Sequence, residues 1–437
     1  MSSSWVEIAA DSHFPLQNLP LGVGRVHKEP SALLVRVGDF AINCEQLRQA
    51  GLLGDDFERP LVDLTSLDGA GARALRVRLR SILSSPDAST SELSSSRSDR
   101  RLVGEKTGHT EPFRTANRQP PTANPLGKLL TPIGEVEMQL PCRIPAFVDF
   151  YSGIHHAGNV GRMFRPDMPP LLPNYRHLPV GYNGRASTVV VSGSTISRPK
   201  GQLKEANADS PVFAPTRELD FELEVGFFLA GGSEMGSSIA IDDAEAHMHG
   251  LVLVNDWSAR DMQRWEYQPL GPFLAKSFAT SISPWVVPLD ALEPFRVRAS
   301  QDPAPLPHLL GSVPGLFDLR LDISLKTRKM SSPQIVSRSN TRYLYWSFAQ
   351  QLAHQTSNGT RVEAGDLYAS GTISGPDPGS YGSLLEATWR GQNPITLQET
   401  GETRTFLQDG DVVTFSGYGQ GDGYRVGFGE LSGEVIG

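Results

Sequence analysis

Cysteine is nearly absent from this 437-residue chain. Cys44 and Cys142 are its only thiols, too few for a disulfide framework or a thiolate zinc site. No apolar run approaches the length that spans a bilayer. The first twenty residues, MSSSWVEIAADSHFPLQNLP, hold neither a basic nor an apolar segment, so no secretory signal and a cytosolic location are expected. Positive charge is also short: a net charge of −8 and a pI near 5.7 give no electrostatic reason to bind nucleic acid. No repeat recurs at a fixed period. No Ser or Cys stands at a triad spacing from a histidine, which leaves acyl-enzyme chemistry without support. In this setting the sequon Asn358-Gly359-Thr360 reads as coincidence.

What the chain does contain is glycine and proline, 43 and 33 residues, which favour many short strands joined by turns over long helices. The length implies two domains. Residues 1–140 read as a small β-rich unit, with ALLVRVGDFAIN as its clearest strand signal. Within it SSPDASTSELSSSRSDR (84–100) is too polar to repay the entropy of ordering and reads as a solvated loop. From 141 to 437 strand-like runs recur: STVVVSGS, LDFELEVGFFLAGG, GLVLVND, SPWVVPL, DLRLDISLKTR, DVVTFSG and GYRVGFGELSGEVIG. Helices are expected only at AEAHMHG, after Asp256, and in YWSFAQQLAHQTSNG.

Three segments concentrate ionisable groups. DFYSGIHHAGNVGRMFR (149–165) gathers Asp149, Tyr151, His155, His156, Asn159 and Arg165, a mixture that costs desolvation if buried and so suits a site rather than a core. In LDFELEVGF, strict alternation puts Leu219, Phe221, Leu223, Val225 and Phe227 on one strand face and Glu222 and Glu224 on the other. An ordinary half-exposed strand accounts for that pattern, but two like charges on neighbouring same-face positions repel, and a hard cation between them relieves the repulsion. In VNDWSARDMQRWEYQPLGP, Asn255-Asp256 reads as the start of a helix. Asp256, Arg260, Gln263 and Tyr267 then share one face, while Asp261 and Arg264 point elsewhere. A helix capped by Asp256 with a surface Asp–Arg pair is the plainer alternative. Adjacent histidines on a strand face opposite ways, so at most one of His155 and His156 enters a given site. GYGQGDGYRVGFGE continues as a strand, which makes its glycines a tight β turn and not a phosphate cradle.

Taken together these blocks, with LPVGYNGRASTVVVSG, FLAKSF, GDLYASGTISGP, GSLLEATW and an N-terminal PLGVGR, resemble the fumarylacetoacetate hydrolase (fumarylacetoacetase) family over nearly the whole chain. The resemblance implies a mainly β fold, with a small SH3-like N-terminal barrel before a large β-roll or β-sandwich catalytic domain that pairs into a homodimer. It implies Ca²⁺ or Mg²⁺ held by Asp149, Glu222, Glu224 and Asp256, and a possible second cation near Lys276 and Thr280. By the same resemblance His156 is the general base, oriented by Glu386. Arg260, Gln263 and Lys276 stabilise developing negative charge. Tyr151, Arg165, Gln263, Tyr267 and Thr372 contact the substrate. Two stretches depart from the family pattern, 84–100 and RKMSSPQIVSRSN (328–340), and both read as lineage-specific insertions; Gly158 is a small substitution beside the site.

The activity implied is hydrolysis of the carbon–carbon bond of 4-fumarylacetoacetate to fumarate and acetoacetate, the last step of tyrosine and phenylalanine catabolism. A small β-diketo acid and a second copy of the chain are then the expected partners, with no nucleic acid and no membrane. Rival readings are a hydrolase for a related, acylpyruvate-type β-diketone, a β-keto acid decarboxylase of the same superfamily, and a metal-binding homologue without turnover. The decarboxylase and acylpyruvate types are shorter and lack the N-terminal domain, and metal binding alone does not require a His156–Glu386 pair.

Overall fold

In the computed structural model the described residues are 4–26, 29–84, 125–313 and 315–437. All of the Ser-rich stretch beyond Ser84 therefore lies outside the described residues. The N-terminal part forms a five-stranded antiparallel sheet from Leu21–Val26, Ala32–Val37, Phe40–Asn43, Leu130–Pro132 and Val136–Gln139, in the spatial order fourth, third, second, first, fifth. A 16-residue helix, Gly69–Ser84, accompanies it; the expectation of a β-rich unit did not include this element. Its buried Ala72, Leu75, Leu79, Ile82 and Leu83 recur at helical spacing and join one core with Leu33, Val35 and Ile42 of the sheet.

The remaining chain is built on two sheets. The central one has seven strands, ordered Gly181–Asn183, Phe147–Phe150, Leu367–Ala369, Leu223–Leu229, Met248–Asp256, Thr280–Ile282 and Val189–Val191. The other has five: Gln334–Asn340, Arg320–Lys326, Val412–Gln420, Arg425–Ile436 and Thr195–Ser197. Val225, Phe227, Leu251 and Leu253 of the central sheet share a core with Leu321, Ile323, Phe415 and Leu431 of the second. The opposite face of the central sheet offers Phe228, Val252, Val254, Ile282 and Leu367 to the N-terminal core. With both faces covered, every residue of Leu223–Leu229 and of Met248–Asp256 is buried. The fold is thus mainly β, with curled sheets packed face to face.

Several local expectations are corrected. The strand Leu223–Leu229, which carries Glu224, is buried on both sides and not half exposed, and Glu222 just before it is buried too. Asp256 ends a strand, and the helix after it is Arg260–Glu266, with Ala259 at its N-cap and no side-chain cap. His155 and His156 lie on a helix, Ile154–Phe164. SLLEATW holds the helix Leu384–Ala387. AEAHMHG gives only a 3₁₀ turn, Ala244–His247, before the chain enters a central strand. Helices are also more numerous than the glycine and proline content suggested, because packing against buried sheets stabilises short helices that propensity alone would not. The stretch 328–340 supplies an antiparallel strand, Gln334–Asn340, paired along Arg320–Lys326. GYGQGDGYRVGFGE is the turn between Val412–Gln420 and Arg425–Ile436, as its composition required.

One buried group at the contact between the N-terminal helix and the central sheet carries a pH signature. His249 is 4% exposed, neither ring nitrogen has a hydrogen-bond partner, and it lines a cavity of about 40 Å³ with Arg76, Met248 and Asp290. Burial pushes its pKa down from 6.5 to about 4. The folded chain therefore keeps this ring neutral while the unfolded chain protonates it, so stability is complete above pH 6.5 and is lost as the pH falls toward 4. The difference amounts to about 2 kcal/mol at pH 5. His249→Leu should flatten that part of the pH dependence, leaving a smaller slope from His13, which burial also lowers to about 4. Urea unfolding at pH 5 and pH 7 checks this; an unchanged difference between the two would refute it.

Candidate metal and general-base site

The acidic cluster follows from strand register. Glu224 pairs with Val254, and Asp256 lies two residues further along on the same face. Asp149 pairs with Ala369, which itself pairs with Gly226 on the strand of Glu224. The two small residues leave room across the sheet, and ligand oxygens of Asp149, Glu224 and Asp256 all lie within 4.8 Å of one another. All three side chains are buried. Among the described residues, Asp149 Oδ1 and Glu224 Oε1 have no hydrogen-bond partner, a costly state for buried oxygens unless a cation completes them. Burial first, and then mutual repulsion, push the carboxyls of Asp149 and Glu224 well above their usual range. An all-oxygen, all-carboxylate donor set fits a hard divalent cation.

Glu222 stands beside this group with its oxygens already engaged. Arg260 NH1 is 2.5 Å from Oε1, and Lys276 Nζ is 2.6 Å from Oε2 and 3.0 Å from Asp256 Oδ2. Burial opposes its ionisation, but these two cations outweigh burial and hold its pKa far below the usual value. Asp256 Oδ1 accepts from the Thr280 hydroxyl (2.8 Å) and Oδ2 from the Tyr182 hydroxyl (3.1 Å). Lys276 is buried and its ammonium is held protonated, since Asp256 and Glu222 overcome the desolvation that would lower its pKa. A protonated ammonium has no lone pair, so Lys276 is a counter-ion in this arrangement.

The second half of the site is a histidine–carboxylate pair. His156 Nδ1 lies 2.6 Å from Glu386 Oε2, and both side chains are buried. Glu386 also accepts from Asn159 Nδ2 (2.9 Å), Ser374 Oγ (2.8 Å) and Ser383 Oγ (2.9 Å). Burial disfavours its charge, yet His156 and these donors keep its pKa below the usual value. An ionised Glu386 fixes the proton on Nδ1 and leaves the Nε2 lone pair of His156 free to accept another. Gly153 caps the helix of His156 without a side-chain bond; a Cβ there would meet the Thr372 carbonyl oxygen at 2.1 Å, so only glycine lets Thr372 come this near. His155, one residue earlier, packs edge-on against Tyr343, outside the pair.

The other expected residues divide into two groups. Tyr151 packs edge-on to the His156 ring at 5.4 Å, Thr372 is buried with its hydroxyl unpartnered, and Arg260 NH2 is likewise buried and unpartnered. Gln263 lies 3.4 Å from Arg260 NH1. Arg165 and Tyr267 stand further out: Arg165 NH2 donates to the Pro170 carbonyl with Nε left unpartnered, and Tyr267 is 47% exposed with its hydroxyl accepting from Gln268. Asp261 and Arg264 do face away, toward Thr216 and Glu218. Sequence reasoning gave no role to Tyr182, Asn159, Ser374, Ser383 or Asp220. Asp220 was within reach, since it continues the period-two face of Glu222 and Glu224; Asn159 lies three residues after His156, one helical turn away.

Residues 146–436 match the family model described as fumarylacetoacetate (FAA) hydrolase, C-terminal. The chain is 44% identical to the fumarylacetoacetase of Rattus norvegicus and 45% identical to that of Mus musculus, in each case over 99% of this chain and 98% of the relative. Identity to the Arabidopsis thaliana fumarylacetoacetase is 42%, over 99% of this chain and 98% of that one. Among solved structures, a putative HpcE protein from Mycobacterium smegmatis superposes with a TM-score of 0.51 at 17% identity, covering 95% of this chain and 98% of that one.

If the unpartnered oxygens mark a cation site, adding Ca²⁺ or Mg²⁺ should raise the melting temperature, and Glu224→Gln should abolish the rise while leaving the fold intact. Glu222→Gln should also weaken binding strongly, because it leaves Lys276 and Arg260 to repel an incoming cation. Calorimetric titration with each ion reads both; wild-type affinity in Glu224→Gln would remove the carboxylate cluster as the site.

Proposed function

The chain belongs to the fumarylacetoacetate hydrolase family, and from that premise we propose that it hydrolyses 4-fumarylacetoacetate to fumarate and acetoacetate, closing tyrosine and phenylalanine breakdown. The observation that carries this reading is the His156–Glu386 pair at 2.6 Å, buried within the same fold as the three-carboxylate cluster. Asp149, Glu222, Glu224 and Asp256 would hold a divalent ion, Ca²⁺ or Mg²⁺, with Glu222 also paired to Arg260 and Lys276. Such an ion would supply Lewis acidity toward the diketone. A second cation near Lys276 and Thr280 would have to rely on hydroxyl and carbonyl oxygens, since the ammonium is itself a cation. We further propose a boundary near residue 140 between an SH3-like N-terminal domain and the catalytic domain, and a cytosolic homodimer. The free, buried thiols of Cys44 and Cys142 suit a reducing compartment. The exposed Phe213, Leu270, Phe273 and Leu274 suit a covered surface.

His156 Nε2 takes a proton from water while its Nδ1–H stays hydrogen-bonded to Glu386, whose charge stabilises the imidazolium that forms. The water oxygen bonds to the carbonyl carbon next to the fumaroyl double bond, and the oxyanion that develops meets the free N–H groups of Arg260 and those of Gln263 and Lys276. The bond from that carbon to the methylene between the carbonyls then breaks. Its electron pair leaves as the enolate of acetoacetate, which takes a proton to complete the reaction. Tyr151, Arg165, Gln263, Tyr267 and Thr372 orient the substrate, with the unpartnered Arg165 Nε and Thr372 hydroxyl available for its oxygens.

His156→Ala should lose most turnover, on the order of a hundredfold or more, whereas His155→Ala should retain much of it; the reverse pattern in a continuous diketone assay would overturn the assignment of the base. Glu386→Gln should lower kcat strongly with little change in KM, because the lost charge matters only once proton transfer begins. Wild-type turnover in that variant would remove Glu386 from the mechanism. An acylpyruvate-type substrate preferred over fumarylacetoacetate in the same assay would reassign the substrate.

A further inference from the structure

Asp220 is fully buried, and neither the carboxylate cluster nor the histidine pair contains it. Each of its oxygens takes two donors. Oδ1 accepts from the backbone N–H of Phe221 and of Leu384, both at 2.8 Å; Oδ2 accepts from the Leu385 N–H at 2.9 Å and from Arg260 Nε at 2.8 Å. Leu384 and Leu385 open the four-residue helix Leu384–Ala387, in which Glu386 comes next. Arg260 is the residue whose NH1 reaches Glu222 and whose NH2 has no partner. One carboxylate thus grips both the backbone directly before Glu386 and the guanidinium beside the acidic cluster.

A helix of four residues does not hold its own orientation. At its far end Trp389 and Arg390 take positive φ of 48° and 60°, and Arg390 NH1 donates to the Met163 carbonyl on the helix of His156, at 3.2 Å. That contact ties the C-terminal side of the short helix to the general base. Asp220 ties the N-terminal side to Arg260. We propose that Asp220 is a positioning residue that sets, through its single carboxylate, both the placement of Glu386 against His156 and the direction of the free Arg260 NH2. The proposal rests on the reading of His156 and Glu386 as the general-base pair. An amide at this position cannot substitute: in either orientation its NH₂ faces two donors, so two of the four hydrogen bonds are lost.

The test compares Asp220→Asn and Asp220→Glu with the wild type, as full-length chains saturated with calcium. Steady-state turnover of fumarylacetoacetate, calcium titration, thermal melting and the low-field proton resonance of His156 Nδ1–H are measured on each. Glu386→Gln identifies that resonance. Asp220→Asn should keep its fold, its calcium affinity and its KM within about threefold, lose about 10- to 100-fold in kcat, and shift or lose the resonance. The same substitution should cost less in a Glu386→Gln background than in the wild type. The proposal is overturned by kcat within about threefold of the wild type, by a kcat loss with the resonance unmoved, or by failure of both variants to fold, which would make Asp220 a purely structural group. If the wild-type chain itself does not turn over the diketone, the proposed reaction fails, yet the resonance still reports whether Asp220 places Glu386.

Discussion

Everything at the site depends on holding a surplus of acidic side chains over cations inside a buried sheet. Asp149, Asp220, Glu222, Glu224 and Asp256 are all buried, and the cations that contact them are Arg260 and Lys276. Burying one unpaired carboxylate costs several kcal/mol after relaxation, so such a surplus survives only where the surrounding fold is strong enough to impose it. The central sheet supplies that strength, because its two faces are sealed by separate hydrophobic cores. The N-terminal part therefore contributes to a site it does not line: Phe228, Val252 and Val254, on the strands that carry Glu224 and Asp256, belong to the core it shares.

The carboxylates fall into two kinds, and the contrast is informative. Asp220 and Glu386 each accept four hydrogen bonds from fixed donors. Asp149 and Glu224 each keep a buried oxygen with none. The fold has no shortage of donors in this region, since two serines, an asparagine and several backbone N–H groups converge on Glu386 and Asp220. The orphaned oxygens of Asp149 and Glu224, side by side in one cluster, therefore suit a cation in the role of the missing donors.

Much of this was legible from residue order because the chemistry sits on strands. Period-two alternation placed Glu222 and Glu224 on one face without knowledge of their neighbours. What alternation could not supply was which strands lie side by side, and hence that Asp149, Ala369 and Gly226 form one row, two residues along the strand from Glu224. The misread segments share a different cause. Asp256-Trp257-Ser258-Ala259 looked like a helix start because Asp favours N-caps, but the N-cap is Ala259 and the acid is drawn onto the sheet by pairing with Thr280. The adjacent histidines read as strand in a β-rich context, yet tertiary packing makes the segment helical. That matters chemically: on a helix His156 and Asn159 reach Glu386 together, and on a strand they would diverge.

Glu386 lies 230 residues from His156, and no local pattern links them. The link is made by two short connections that the fold constrains at close quarters: Gly153, where any side chain would collide with the Thr372 carbonyl, and the left-handed pair Trp389 and Arg390 behind the helix of Glu386. Residues other than glycine hold positive φ at a cost of about 1–3 kcal/mol each, so two in succession need compensation from their surroundings. The Arg390 bond to the Met163 carbonyl and the Asp220 grip on Leu384 and Leu385 are those compensations. Backbone strain at one end of a four-residue helix and a buried carboxylate at the other thus hold two distant segments together, and through Asp220 the same helix is joined to Arg260, which also contacts Glu222.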